Sequence, residues 1–175
     1  MKILITMAGE GKRFQEIGID KPKYMIKLGE DTLFYYSLLS LKDFFDCHFV
    51  FIAQNKHHST DFIANECEKL GLSHFEVLEI SEMTDGQATT ALLADSLILD
   101  YESVAIYNID TYVEEGIILK DSISGDGFIP VFRSNEGKWS FVKTNIDGVV
   151  SEVSEKEKIS DLATIGFYYF RKWSF

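Results

Sequence analysis

The sequence predicts an α/β fold: a mixed, mainly parallel sheet with helices on both faces, ending in a β-rich C-terminal part. Three observations carry this. Short apolar runs alternate with amphipathic helical stretches over residues 1–115. After Gly125, strand-like runs follow one another with no helix between them. The composition, 46% hydrophobic and 14% aromatic, is that of a chain with a real core and excludes disorder.

The elements follow in order. Residues 2–7 form a first buried strand. Residues 32–45 are helical, with Leu33, Tyr36, Leu39 and Leu41 on one face. His48–Gln54, HFVFIAQ, is the second strand. Thr60–Leu70 is a helix stopped by Gly71. Phe75–Ile80 alternates as a strand, and residues 87–99 are helical after the opening Asp85-Gly86. Residues 103–110, SVAIYNID, make a fourth long strand.

The segments DGFIPVFR, KWSFVKTN, GVVSEVSEK and ATIGFYYF then read as strands that join or extend the same sheet. Asp147-Gly148 is a tight hairpin turn between the second and third of these. The aromatic runs LFYYSLLSLKDFF and FYYF read as core. Residues 1–175 make one domain, with a first part over 1–115 and a β-rich second part over 116–175. The end, FYYFRKWSF, is aromatic; it is expected to pack against residues that would follow, leaving the second part incomplete.

The formal net charge is −11, which disfavours broad contact with a nucleic acid backbone. Against that background, residues 7–29 gather Lys12, Arg13, Lys21, Lys23 and Lys27 just after the first strand. A local basic site for a small anion fits both facts. Cys47 and Cys67 have no CxxC partner and read as free thiols of a reducing compartment. No apolar run is long enough to cross a bilayer, and the N-terminus lacks the features of a signal peptide, so a cytoplasmic protein without a membrane partner is expected.

A glycine-rich turn after a first strand binds phosphate because bare backbone approaches closely and aims N–H groups at oxygen. A dinucleotide fingerprint fails here, since Phe14 stands where a third glycine is needed and the second strand ends in Gln54 rather than an acid. A Walker loop fails as well, with Thr6 in place of its first glycine and Arg13 after the lysine. The pattern that remains is G-x-G-x-R followed by Pro-Lys: Gly9, Gly11, Arg13, Pro22 and Lys23.

On those residues the chain resembles the sugar-phosphate nucleotidyltransferases, the NDP-sugar pyrophosphorylases. Three later segments support the resemblance in the same order. DGQATTAL is similar to the family's base-binding turn and helix, and IYNIDTYV to the strand that delivers a metal-binding aspartate. IDGVVSEVSEKEK with ATIGFYYF resembles the hairpin with its Glu-Lys pair and the Gly-x-Tyr-x-Phe strand. The resemblance implies the Rossmann-like nucleotide-diphospho-sugar transferase fold. It also implies a reaction: transfer of NMP from a nucleoside triphosphate to a phosphorylated acceptor, a sugar 1-phosphate, with release of pyrophosphate. Surface polysaccharide or related biosynthesis is the implied setting.

Both reactants are anions, so the protein must neutralise, align and stabilise spread negative charge. The resemblance implies backbone donors from Ala8, Gly9, Glu10, Gly11 and Lys12 for the β- and γ-phosphates, and Arg13 for the leaving pyrophosphate. Lys23 would serve the α-phosphate and the incoming phosphate, Asp110 would hold Mg²⁺, and Gly86 and Gln87 would meet the base. Glu155, Lys156 and Gly166 would bind the acceptor, with Glu157-Lys158 an alternative register for the pair.

Two departures stand out. Position 12 is Lys where the family often has a small hydroxyl residue. No Asp follows Asp161, although family members usually carry a second metal carboxylate after the Gly-x-Tyr-x-Phe strand. That leaves three expectations open: a fragment, a half-built metal site, or lost activity. A non-catalytic nucleotide-binding module and a glycosyltransferase of similar fold are the alternatives. Neither the base nor the acceptor is legible.

Overall fold

In a computed structural model, residues 1–9, 11, 14, 16 and 18–174 are described. The expected loop residues Glu10, Lys12 and Arg13 lie outside the described residues.

Four strands run parallel on one side of the larger sheet: β1 (Lys2–Thr6), β4 (His48–Gln54), β5 (Phe75–Ile80) and β6 (Val104–Asn108), while β2 (Lys27–Leu28) and β3 (Asp31–Thr32) pair as a separate two-stranded ribbon. β12 (Phe167–Phe170) and β7 (Gly127–Phe128) close its far edge in antiparallel pairing, giving the order β5-β4-β1-β6-β12-β7. Strands covered on both faces must be apolar throughout, which is why β1 and β4 read as nearly unbroken runs, while β5, at the sheet edge, alternates. Their side chains alternate between two cores. Ile3, Ile5, Phe49, Phe51 and Tyr107 pack under α1 (Leu33–Leu39) and α2 (Thr60–Leu70). Leu4, Val50, Ile52 and Ile106 pack on the opposite face against Ala91 of α3 (Gln87–Leu92) and Ala94.

Three strands match the sequence reading closely, while two helices are shorter than expected. The stretch 32–45 is α1 followed by a 3-10 turn at Lys42–Phe44. Leu38, Leu41 and Phe44 are all fully buried at a spacing of three. That spacing suits the tighter 3-10 geometry, in which residues three apart eclipse. The stretch 87–99 likewise divides into α3 and a 3-10 turn at Asp95–Leu97. α2 ends where Gly71 was expected to stop it: at φ 73 its N–H reaches the Cys67 and Glu68 carbonyls, and Leu72 N–H bonds Cys67 O at 2.9 Å.

The β-rich part is a correction. Most of it forms a second, antiparallel sheet rather than extending the first. β10 (Val150–Glu155), β9 (Ser140–Thr144), β11 (Leu162–Thr164) and β8 (Val131–Arg133) pair in that order. The run DGFIPVFR is cut at Ile129-Pro130, where the chain leaves β7 for β8; Pro cannot donate to a ladder and so marks the crossing. The run ATIGFYYF is cut at Ile165-Gly166, where the chain returns to the larger sheet. The β9–β10 hairpin turns through residues 145–149, wider than a two-residue turn, with Asn145 Oδ1 accepting from the Asp147 and Val149 N–H groups at 3.0 and 2.9 Å.

Within the aromatic end, Trp173 is buried. Its ring is buried with Leu4 and Val50, and Nε1 donates to Asp95 Oδ1 at 2.7 Å. Cys47 and Cys67 are free thiols, and burial, followed by the nearby Glu66 charge, pushes Cys67 up to about 12. Among the described residues, no helix is long and apolar enough to cross a membrane.

Candidate active site

β1 is where the order of the larger sheet reverses: the chain first builds β4 and β5 on one side of it, then returns to place β6 on the other. In open α/β sheets ligands sit beyond the carboxyl ends of strands at such a switch point. Thr6 pairs with Asn108, so the loop leaving β1 and the turn holding Asp110 leave the sheet side by side.

Several buried contacts fix that loop. Gln54, which is buried, donates from Nε2 to Ala8 O at 2.5 Å and holds the start of the loop against β4. Pro22 opens a 3-10 turn at Lys23–Met25 whose Tyr24 is buried and hydrogen-bonds Ser59 through a 2.6 Å O···O contact. That anchored turn presents Lys23. Its Nζ would lie 3.9 Å from a Cβ built on Gly9, and its own Cβ lies as far from one built on Gly11. The two loop glycines and the lysine therefore face one another.

Lys23 Nζ reaches Asp110 Oδ2 at 2.5 Å, joining two residues predicted for different roles. The other oxygen, Oδ1, accepts from Asn108 Nδ2 at 2.5 Å. Partial burial pushes the Asp110 carboxyl up. The Lys23 charge and hydrogen bond, together with the Asn108 amide, outweigh that and hold the group below the usual carboxylate range.

Asn108 Nδ2 also donates to Thr111 Oγ1 at 2.8 Å. Its Oδ1 is buried without a hydrogen-bond partner among the described residues, packed against Gly166. A Cβ on Gly166 would stand 1.9 Å from that oxygen, and the backbone there has φ 80. Only glycine fits. Gly166 O in turn accepts from Gln87 Nε2 at 3.3 Å, which ties the start of α3 to the β11–β12 turn. Gly86 and Gln87 thus stand across the cleft from Lys23 and Asp110, and a recess of about 230 Å³ lies between them, also lined by Thr6, Ala8 and Gly9.

A second chamber of about 650 Å³ opens between the two sheets, reached past Asp110 and Gln87. Glu155 and Gly166 line it. Lys156 does not: its backbone turns left-handed at φ 58, and its Nζ pairs with Glu155 Oε1 at 2.9 Å in solvent. The alternative register fares no better, since Lys158 Nζ bonds Asn135 Oδ1 at 3.0 Å outside the chamber. Lys138 is the lysine that lines the chamber, with Nζ 4.9 Å from the Trp139 ring centroid. Tyr112, Phe132, Trp139 and Tyr168 supply aromatic wall. The FYYF run is therefore not all core: Phe167 is buried in the core, while Tyr168 faces the chamber.

The residues present fit a divalent cation in one respect. Asp110 already holds a positive group on Oδ2, and a carboxylate oxygen with phosphate and water suits Mg²⁺. Among the described residues, no cluster of three or more His, Cys, Asp or Glu could hold a metal by itself.

No model of a known protein family matches the chain, and neither does any curated protein. Solved structures do. A nucleoside-diphosphate-sugar pyrophosphorylase from Vibrio cholerae RC9 is 33% identical with a TM-score of 0.87, over 98% of this chain and 73% of that one. The inositol-1-phosphate CTP transferase from T. maritima is 17% identical with a TM-score of 0.77, over 97% of this chain and 69% of that one. A UDP-glucose pyrophosphorylase complexed with UDP-glucose is 19% identical with a TM-score of 0.72, over 97% and 75%. The last two share the fold.

Proposed function

The chain belongs to the nucleoside-diphosphate-sugar pyrophosphorylase family, nucleotidyltransferases that move NMP from an NTP to a sugar phosphate, and we propose how its own residues do so. The observation that carries the reading is the meeting of Lys23 and Asp110 beside the β1 loop, at the carboxyl ends of adjacent parallel strands. An anionic ligand entering there meets the loop, one ammonium and one carboxylate able to share a cation.

The triphosphate lies along the recess between Ala8-Gly9 and Gly86-Gln87. Backbone N–H groups of the loop and the Arg13 guanidinium hold its β- and γ-phosphates. The sugar phosphate occupies the chamber between the sheets, with Glu155 as its hydrogen-bond acceptor and the aromatic wall against its ring. An oxygen of its phosphate attacks the α-phosphorus in line. The bond to the bridging oxygen breaks, and pyrophosphate leaves, its charge met by the Arg13 guanidinium in the role the family resemblance assigns it. Lys23 neutralises the α-phosphate as charge shifts across it, and alignment of the two anions supplies most of the rate.

Asp110, with phosphate and water oxygens, would hold one Mg²⁺, whose charge would help neutralise the phosphates. The product feeds assembly of surface polysaccharide or a related glycan. The setting is the cytoplasm, where triphosphates are plentiful and free thiols such as Cys47 and Cys67 persist.

The test is a thermal-shift panel of the common nucleoside triphosphates, each with and without Mg²⁺, followed by pyrophosphate release with a panel of sugar phosphates. A ligand at 100 times its Kd stabilises by about 2.7 kcal/mol, which for a chain of this size raises Tm by roughly 5–11 °C. No shift with any triphosphate would refute the assignment. A shift without pyrophosphate release from any sugar phosphate would leave a nucleotide-binding module.

A further inference from the structure

The Asp110 carboxylate is divided between two partners. Oδ1 accepts from Asn108 Nδ2, and Oδ2 accepts from Lys23 Nζ, each at 2.5 Å. Asn108 has no freedom to turn its amide over. The flipped amide would set its carbonyl oxygen against the Asp110 carboxylate, and both would then be acceptors. Its own Oδ1 is instead pressed against Gly166 and left without a donor among the described residues, a state that burial makes costly. Two features mark one orientation: a glycine that leaves the room it needs, and a buried acceptor left unsatisfied as its cost. The Nδ2 donations to Asp110 and Thr111 offset that cost.

We propose that Asn108 is a positioning residue that commits Oδ1 of Asp110 to the protein and offers Oδ2 alone to one cation, and that Lys23 is that cation until a divalent ion replaces it. This rests on the reading of Asp110 as the cation ligand. Lys23 and the ion cannot share Oδ2 at contact distance, so they compete. A triphosphate draws the ammonium onto its α-phosphate and frees the oxygen. The divalent ion therefore enters with the nucleotide or after it, and the free protein binds it weakly. Groups that orient a metal ligand from behind are commonly worth a factor of ten or more in metal affinity.

The experiment measures Mn²⁺ binding to the nucleotide-free full chain by the loss of the free-ion electron paramagnetic resonance signal. Circular dichroism checks the fold of every variant. Lys23→Met should tighten Mn²⁺ at least tenfold. Lys21→Met, which removes an exposed charge from the same segment, should leave it unchanged. Adding Asn108→Leu, nearly isosteric but without the amide donor, to Lys23→Met should return roughly tenfold of that gain with the fold intact.

If Lys23→Met leaves Mn²⁺ binding as in the wild type, or Lys21→Met tightens it equally, the competition is overturned. If Asn108→Leu changes nothing in the Lys23→Met background, the positioning role is overturned. Asp110→Asn in that background separates the two levels. Its failure to remove binding would sink the cation reading of Asp110 itself, whatever the other variants show.

Discussion

Replacing Gly166 by Ala tests whether the close approach of Asn108 is what demands glycine there. The new Cβ would fall 1.9 Å from Asn108 Oδ1 and 2.8 Å from its Cγ, inside any tolerable contact. The residue would also have to hold φ 80, a left-handed backbone that costs an alanine about 1 kcal/mol. The asparagine must swing away and lose its donations to Asp110 and Thr111. The first is charge-assisted but lies at the rim of a solvated cleft, so about 1.5 kcal/mol is apt; the second is worth about 1.

The sum is about 3.5 kcal/mol. In a chain of this length that lowers Tm by roughly 7–14 °C. Urea denaturation of four proteins decides the matter: wild type, Gly166→Ala, Asn108→Ala and the double variant. With Asn108 truncated there is nothing to displace, so Gly166→Ala should then cost only the backbone term of about 1 kcal/mol. The coupling should be about 2.5 kcal/mol. Equal costs in the two backgrounds would show that backbone conformation alone selects the glycine, and the argument from the collision would fall.

Gln54→Leu removes the donor from the Ala8 carbonyl and should cost about 1–3 kcal/mol while raising KM for the triphosphate more than it lowers kcat; an unchanged KM would detach Gln54 from the loop. Arg13→Ala should weaken triphosphate binding by roughly ten- to a hundredfold through loss of a charge-assisted contact, and calorimetry showing unchanged affinity would return Arg13 to the solvated surface. Asp110 has a lowered pKa, so its contribution to stability is present above the ordinary carboxylate value of about 3.9 and is lost as pH falls through the lower folded value. The stability gap between wild type and Asp110→Asn should accordingly close on acidification below about pH 4, and a gap of constant size down to pH 2 would contradict the ion pair with Lys23.

What the sequence made legible depended on whether physics leaves a local signature. β4, α2 and β5 were readable to the residue because double-sided burial, a one-sided apolar stripe and a capping glycine each imprint a pattern on neighbouring positions. The division of the second part into two sheets left no such trace. A run such as DGFIPVFR has the same alternation whichever sheet its halves join, and only Pro130 hints at the crossing.

The proposed site divides along the same line. Phosphate chemistry restricts residue types, so the loop, Lys23 and Asp110 could be singled out by kind and order. Their contact, 87 residues apart in the chain, needed β1 and β6 to be neighbours. Acceptor recognition restricts shape instead. Lys156 looked right by type and was carried outward by its left-handed backbone, while Lys138 and Trp139 line the chamber with no local mark of doing so.

Asn108 is the residue least visible in advance. A polar side chain at the end of an apolar strand could simply be where the strand meets water, and nothing local excludes that. What identifies it is a coincidence of three distant facts: an acceptor left unsatisfied, a glycine 58 residues later whose Cβ would strike it, and a carboxylate two residues on that needs one oxygen held. Each fact alone has an ordinary structural explanation. Together they favour a single side-chain orientation. That orientation fixes the carboxylate on which Lys23 and a divalent ion would compete.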